Sequence, residues 1–305
     1  MGLEKLTDDN LSSLLCNPEN IPLLERIALR ELKKYHELQD RIPGYNPLTH
    51  DTDITPNKKE LQALFEETKK DVHQFLEIQN ASKCIVKHNG IITRDKALIW
   101  TARTLLGGGL AYVGSAALMI ARVIDIDSVL YATAIGSATA AAWSFKRVKD
   151  EIPNQSAYQT RLITGTGYIA LPKRGEIPTK AILDHEYTHH IQEDHGFKDT
   201  RHTIFTEGHA RSVERNIAKI RVEKTGNTSH ENMITHYTAN EMLRAYSWVC
   251  HKNGVKPSMN LGYDESLIFP HEIGHPLLYL WEEKYGPEIH TKLLRGETDI
   301  ISELR

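Results

Sequence analysis

Cysteine is scarce in this chain. Among 305 residues there are three, Cys16, Cys84 and Cys250, far apart and without a CxxC pair. That excludes a disulfide framework and a thiolate metal cluster, and it fits a reducing compartment. A surplus of positive charge is also missing. With 37 Lys and Arg against 40 Asp and Glu, the formal net charge is -3, so no global basic field exists to draw nucleic acid, and no nucleic-acid partner is expected. The first residues, MGLEKLTDDNLSSLLC, contain early acids and no long apolar run. They do not read as a secretory signal, and Leu6 breaks the myristoylation pattern.

What the chain does have is histidine, 16 residues of it, and a marked change of character along its length. Residues 1–92 carry apolar positions at helical spacing, among them Leu11, Leu14, Leu15, Leu24, Ile27 and Leu32, and the style continues from Lys58 to Gln79. Two to four amphipathic helices are predicted there, serving packing rather than chemistry. Residues 93–149 contain two uncharged runs, at 104–121 and 128–145, joined by a polar turn around Arg122, Asp125 and Asp127. As helices each would span about 27 Å, close to the hydrocarbon core of a bilayer. Small residues recur every fourth position, as Gly107, Ala111, Ser115 and Ala132, Gly136, Ala140, which favours close helix pairing in lipid. Lys and Arg flank the open ends, so a membrane hairpin would leave both termini cytoplasmic. The alternative is a helical pair buried in protein. Residues 150–305 return to an ordinary mixture and are long enough for a compact domain. Within them Tyr168 to Leu171 reads as a strand, and a helix follows from Pro178 to about Gly196.

That helix contains His185-Glu-Tyr-Thr-His189. Four residues apart, the two imidazoles share a face and can reach one zinc ion, while Glu186 beside them can take a proton from water and pass it to a leaving amine. A third ligand is needed for a catalytic site with one position open. His195 has a suitable spacing, but Gln192 stands where that arrangement turns sharply on a glycine. The other candidate is Glu207 in 205-FTEGHARSVE-214, where Ala210, Val213, Ile217 and Ile220 form a helical stripe. His190, His202 and His209 read as surface or supporting residues, and Glu214 as a possible partner for one ligand histidine.

HEYTH followed by TEGHARSVE resembles the gluzincin metallopeptidases, and the second element is similar to the NEGxAxxxE segment of their aminopeptidase branch. The resemblance spans roughly residues 160 to 295. It implies a thermolysin-like domain with a small sheet, one zinc ion per chain, Glu207 as third ligand beside His185 and His189, Glu186 as catalytic base, and a peptide or protein as substrate. It also implies that the strand at 168–171 is an edge to which an extended peptide adds. The element that holds a free N-terminus in the aminopeptidases has no counterpart here, so an endopeptidase is expected.

A second HExxH, 271-HEIGH-275, is followed at once by Pro276. Proline removes a backbone N–H and disfavours helix at the preceding residue, so the helix is not expected to run on through this motif, and no acid like Glu207 follows it. By the family resemblance His271 takes the place of an oxyanion-stabilising tyrosine, with Gly274 and Gly286 matching family glycines; His275 and Tyr263 are alternatives. The expectation is thus a mainly α chain with an α+β catalytic part: N-terminal helices, a transmembrane hairpin and a zincin domain facing the cytoplasm. A non-catalytic scaffold and a soluble protease with a buried hairpin are the competing readings.

Overall fold

The computed structural model describes residues 8–42, 55–88, 158–161, 166–172, 174–197, 203–259 and 270–296, with Leu110, Val113, 129–131 and 133–140. The fold is mainly helical. Contacts divide the chain into two compact units, Met1–Cys84 with Arg174–Arg305, and Ile85–Lys173. The N-terminal helices belong to the same unit as the histidine motifs.

In that unit α1 (Asp8–Leu15), α2 (Ile21–Arg41) and α3 (Lys58–Phe75) are followed by α4 (Glu176–Asp194), α5 (Ile204–Thr225), α6 (Ser229–Lys252), α7 (Pro270–Tyr285) and α8 (Ile289–Leu294). Each start or stop has a local cause. Asn57 and Glu60 form a reciprocal capping box at α3. Thr203 caps α5, and the Asp8 carboxylate accepts the Ile204 N–H at 2.8 Å, tying α1 to the helix that carries Glu207. Gly196, with φ +91°, lies just past the end of α4 as the sequence suggests.

The apolar faces of α1 and α2 meet α5, α6 and α7 in one core that includes Leu11, Leu24, Ile27, Met242, Leu277 and Trp281. Burying one such side chain contributes about 1.5–3 kcal/mol. On the other side α3 packs on α4. There Arg221 pairs with Asp184 and Asp71, and Thr68 donates to Asp184 at 3.0 Å. Lys180 pairs with Glu67, and His190 bonds the Ser82 carbonyl at 3.1 Å. α4 is buried on nearly all sides although it carries many polar residues, and these partners make that burial tolerable.

α7 runs without a break through Pro276. The expectation that proline would end helical geometry at His275 is therefore corrected. One intrahelical bond is lost, worth about 3 kcal/mol with its steric clash, but Ile273, Leu277, Leu278, Leu280 and Trp281 are all buried and hold the helix in place.

In the second unit, which holds all of the strands but Cys84, β1 (Cys84–His88), β2 (Tyr158–Arg161) and β3 (Gly167–Leu171) form a sheet in the order β1-β3-β2, with β2 and β3 antiparallel. The strand expected at 168–171 is present, but it is the middle strand, not an edge. Its five residues are all buried, as an apolar run without alternation demands, and its backbone is already paired on both sides. The hairpin arms at 104–121 and 128–145 fall largely outside the described residues. Residues 133–140 are helical, and Leu130, Tyr131 and Ile135 nearby are exposed. No helix among the described residues is long and apolar enough to cross a membrane.

Candidate metal centre

Helical spacing puts His185 and His189 on one face of α4, with their Nε2 atoms 3.1 Å apart. Glu207 enters from the first turn of α5, placing Oε2 3.3 Å from His185 Nε2 and Oε1 3.7 Å from His189 Nε2. One ligand atom from each residue lies within 4.8 Å of the others. A tetrahedral zinc ion bound at about 2.0–2.1 Å sets its ligand atoms roughly 3.4 Å apart, so the three groups fit such an ion. The side chains keep 15%, 8% and 18% of their surface exposed, enough for a fourth, outside ligand. His195 closes α4 as its C-cap and is not a member of the cluster.

Two carboxylates bracket His185. Burial opposes charge on His185, yet its contacts with Glu207 and Glu214 outweigh that and the nearby Arg211, and they hold its pKa up at about 10. On the other side of the ring, His185 Nδ1 stands 3.5 Å from Glu214 Oε2. Burial alone would raise the Glu214 carboxyl, but Arg211 and His185 pull it below its ordinary range. Arg211 Nη1 donates to Glu214 at 2.7 Å, and its Nε is 3.3 Å from Glu241 Oε1 on α6.

Glu241 in turn meets the second motif. His275, fully buried, places Nδ1 2.6 Å from Glu241 Oε2, and His271 Nε2 lies 3.9 Å from Oε1. So His275 is engaged by an internal carboxylate, whereas His271, in the first turn of α7, keeps 34% of its side chain exposed. One continuous path, His185–Glu214–Arg211–Glu241–His271, joins the two motifs. Glu186 follows His185 on α4 and is 8% exposed. Tyr263 lies outside the described residues.

His189 is backed differently. Its Nδ1 is 2.8 Å from Gln192 Oε1, and Gln192 also reaches Thr206 and His209. Burial drives the pKa of His209 down to about 3, so it is neutral. Sequence reasoning missed the parts played by Gln192, Arg211 and Glu241. Arg211 and Glu214 were visible as an i,i+3 pair in TEGHARSVE; Glu241 offers no local signal.

No family model matches this chain, and neither a curated protein nor a solved structure matches it.

Proposed function

We propose that the chain is a zinc-dependent endopeptidase of gluzincin type, with His185, His189 and Glu207 holding one ion and Glu186 as general base. The observation that carries this reading is the convergence of three ligand atoms from two helices, at spacings suited to a four-coordinate ion. Bound zinc would supply Lewis acidity to water and to the scissile carbonyl. The protein's own part is proton handling and orientation. Glu186 takes the proton of the attacking water and returns it to the departing amine, so that one C–N bond is replaced by C–OH and N–H. His271, partly exposed and backed by Glu241, is suited to donate a hydrogen bond to the carbonyl oxygen as charge builds on it.

The hairpin anchors the enzyme in a bilayer with both termini and the catalytic unit in the cytoplasm; uncharged runs flanked by Lys and Arg support this part of the reading. Resistance of the protein to carbonate extraction tests it. The chemistry is tested by Glu186→Gln, which is expected to keep stoichiometric zinc while peptide cleavage falls by about 10²–10⁴-fold. Zinc-loaded wild type that cleaves no member of a peptide library would point instead to a non-catalytic zinc scaffold.

A further inference from the structure

Two backbone carbonyls fix the polarity of a buried hydrogen-bond chain that ends on His189. A carbonyl only accepts. Gln192 lies 3.0 Å from the Thr206 carbonyl oxygen, so the amide atom facing it is Nε2 and the atom facing His189 is Oε1. An oxygen there demands a proton on His189 Nδ1, so in the neutral ring it is Nε2, on the side of Glu207 and His185, that carries the lone pair. The same logic governs the other end. His209 Nε2 stands 3.1 Å from the His290 carbonyl and must donate to it, so His209 Nδ1 is the acceptor for the second Nε2 hydrogen of Gln192, at 3.1 Å. Every donor in the chain meets an acceptor. Gln192 and His209 are fully buried, with no solvent to re-orient them.

We propose that Gln192 is a positioning residue for the metal centre: anchored by Thr206 and His209, it sets the tautomer and ring orientation of His189 so that Nε2 presents its lone pair to an ion. The proposal rests on the reading of His185, His189 and Glu207 as a metal site. It makes the two histidines unlike each other, since His185 is backed by the anionic Glu214 and His189 by a neutral amide. It also ties the ligand helices together, because the bond to Thr206 spans from α4 to the residue before Glu207. Losing such a partner typically lowers metal affinity by about 10–100-fold.

The test uses the full-length protein in detergent, with zinc affinity measured by chelator competition and the His189 tautomer read from ring ¹⁵N shifts without metal. Gln192→Leu is expected to weaken zinc by about 10–100-fold and to populate the Nε2–H tautomer. Gln192→Glu retains an acceptor for Nδ1–H but conflicts with the Thr206 carbonyl and His209. It should keep zinc affinity within a few-fold of wild type despite lower thermal stability. His209→Phe preserves the stacking on Phe205 and is expected to weaken zinc less than Gln192→Leu. Equal loss in the Leu and Glu variants, or an unchanged Nδ1–H tautomer in Gln192→Leu, would overturn the proposal. If wild type binds no zinc, the metal-site reading fails, and the tautomer measurement still decides whether Gln192 sets His189.

Discussion

Gly208 of α5 and Gly274 of α7 face each other backbone to backbone. A Cβ on Gly208 would overlap the Gly274 backbone, and one on Gly274 would overlap the Ile204 carbonyl. The absence of side chains at these two positions therefore sets how closely the helix bearing Glu207 approaches the helix bearing His271 and His275. Gly274→Ala is expected to destabilise the fold by at least about 1–3 kcal/mol, the usual penalty for overpacking, although alanine is the better helix former. Urea denaturation measures this. A stability gain in Gly274→Ala would show that the helices do not meet so closely.

The two HExxH motifs are expected to respond differently to the loss of one member. Glu207→Ala removes a ligand from the cluster and should abolish stoichiometric zinc. His275→Ala should leave zinc at one per chain while lowering stability by about 1–3 kcal/mol, because Glu241 loses a buried hydrogen-bond partner. Metal analysis of dialysed protein beside a melting curve separates the two effects. Zinc lost in both variants would place a metal role on the second motif.

How much of the site's geometry was legible in the sequence differs residue by residue. His185 and His189 were visible because helical periodicity alone puts positions i and i+4 on one face. Glu207 was visible through its own local pattern on a second helix. Gln192 was read only as the wrong residue for a sharp turn; its support of His189 depends on α4 and α5 meeting at Thr206, which no local spacing encodes. Glu241 was invisible for the same reason. Pro276 was over-weighted, since helix propensity is a local preference and α7 is held by burial along its length. Gly208 and Gly274 did carry a usable signal, as isolated glycines inside helical patterns often mark close packing. The place of β3 in the sheet was not legible, because pairing on its second side comes from β1, about eighty residues earlier in the chain.

Lys219 provides a pH-dependent prediction. It lies 5.7 Å from the Tyr279 ring; burial first, then Arg215, lowers its pKa from 10.5 to about 8. The folded state thus binds fewer protons than the unfolded state between these values, so this group makes stability rise as pH increases from about 8 to 10.5 and imposes a constant penalty below 8. Lys219→Met is expected to raise stability at pH 7 by about 1–2 kcal/mol, after allowing for the partial exposure of the side chain. The advantage should shrink above pH 8 and disappear near 10.5. Paired denaturation curves at pH 7 and pH 10 check both sign and window; a lower stability of the methionine variant at pH 7 would show that the ammonium is net favourable beside Glu282 and Glu31.

Arg211 holds the two buried carboxylates together, with Glu214 behind His185 on one side and Glu241 behind His271 and His275 on the other. Removing a shared cation exposes both acids to an uncompensated desolvation penalty, which in buried pairs amounts to about 3–5 kcal/mol. Arg211→Leu is expected to lose that much stability. Neutralising one acid should relieve part of the loss, so Arg211→Leu combined with Glu241→Gln should be more stable than Arg211→Leu alone, even though Glu241→Gln by itself destabilises. That non-additivity is the signature of charge compensation as opposed to lost packing. Purely additive losses in the double variant would mean that Arg211 acts through its volume alone. They would also break the electrostatic link between His185 and the second motif.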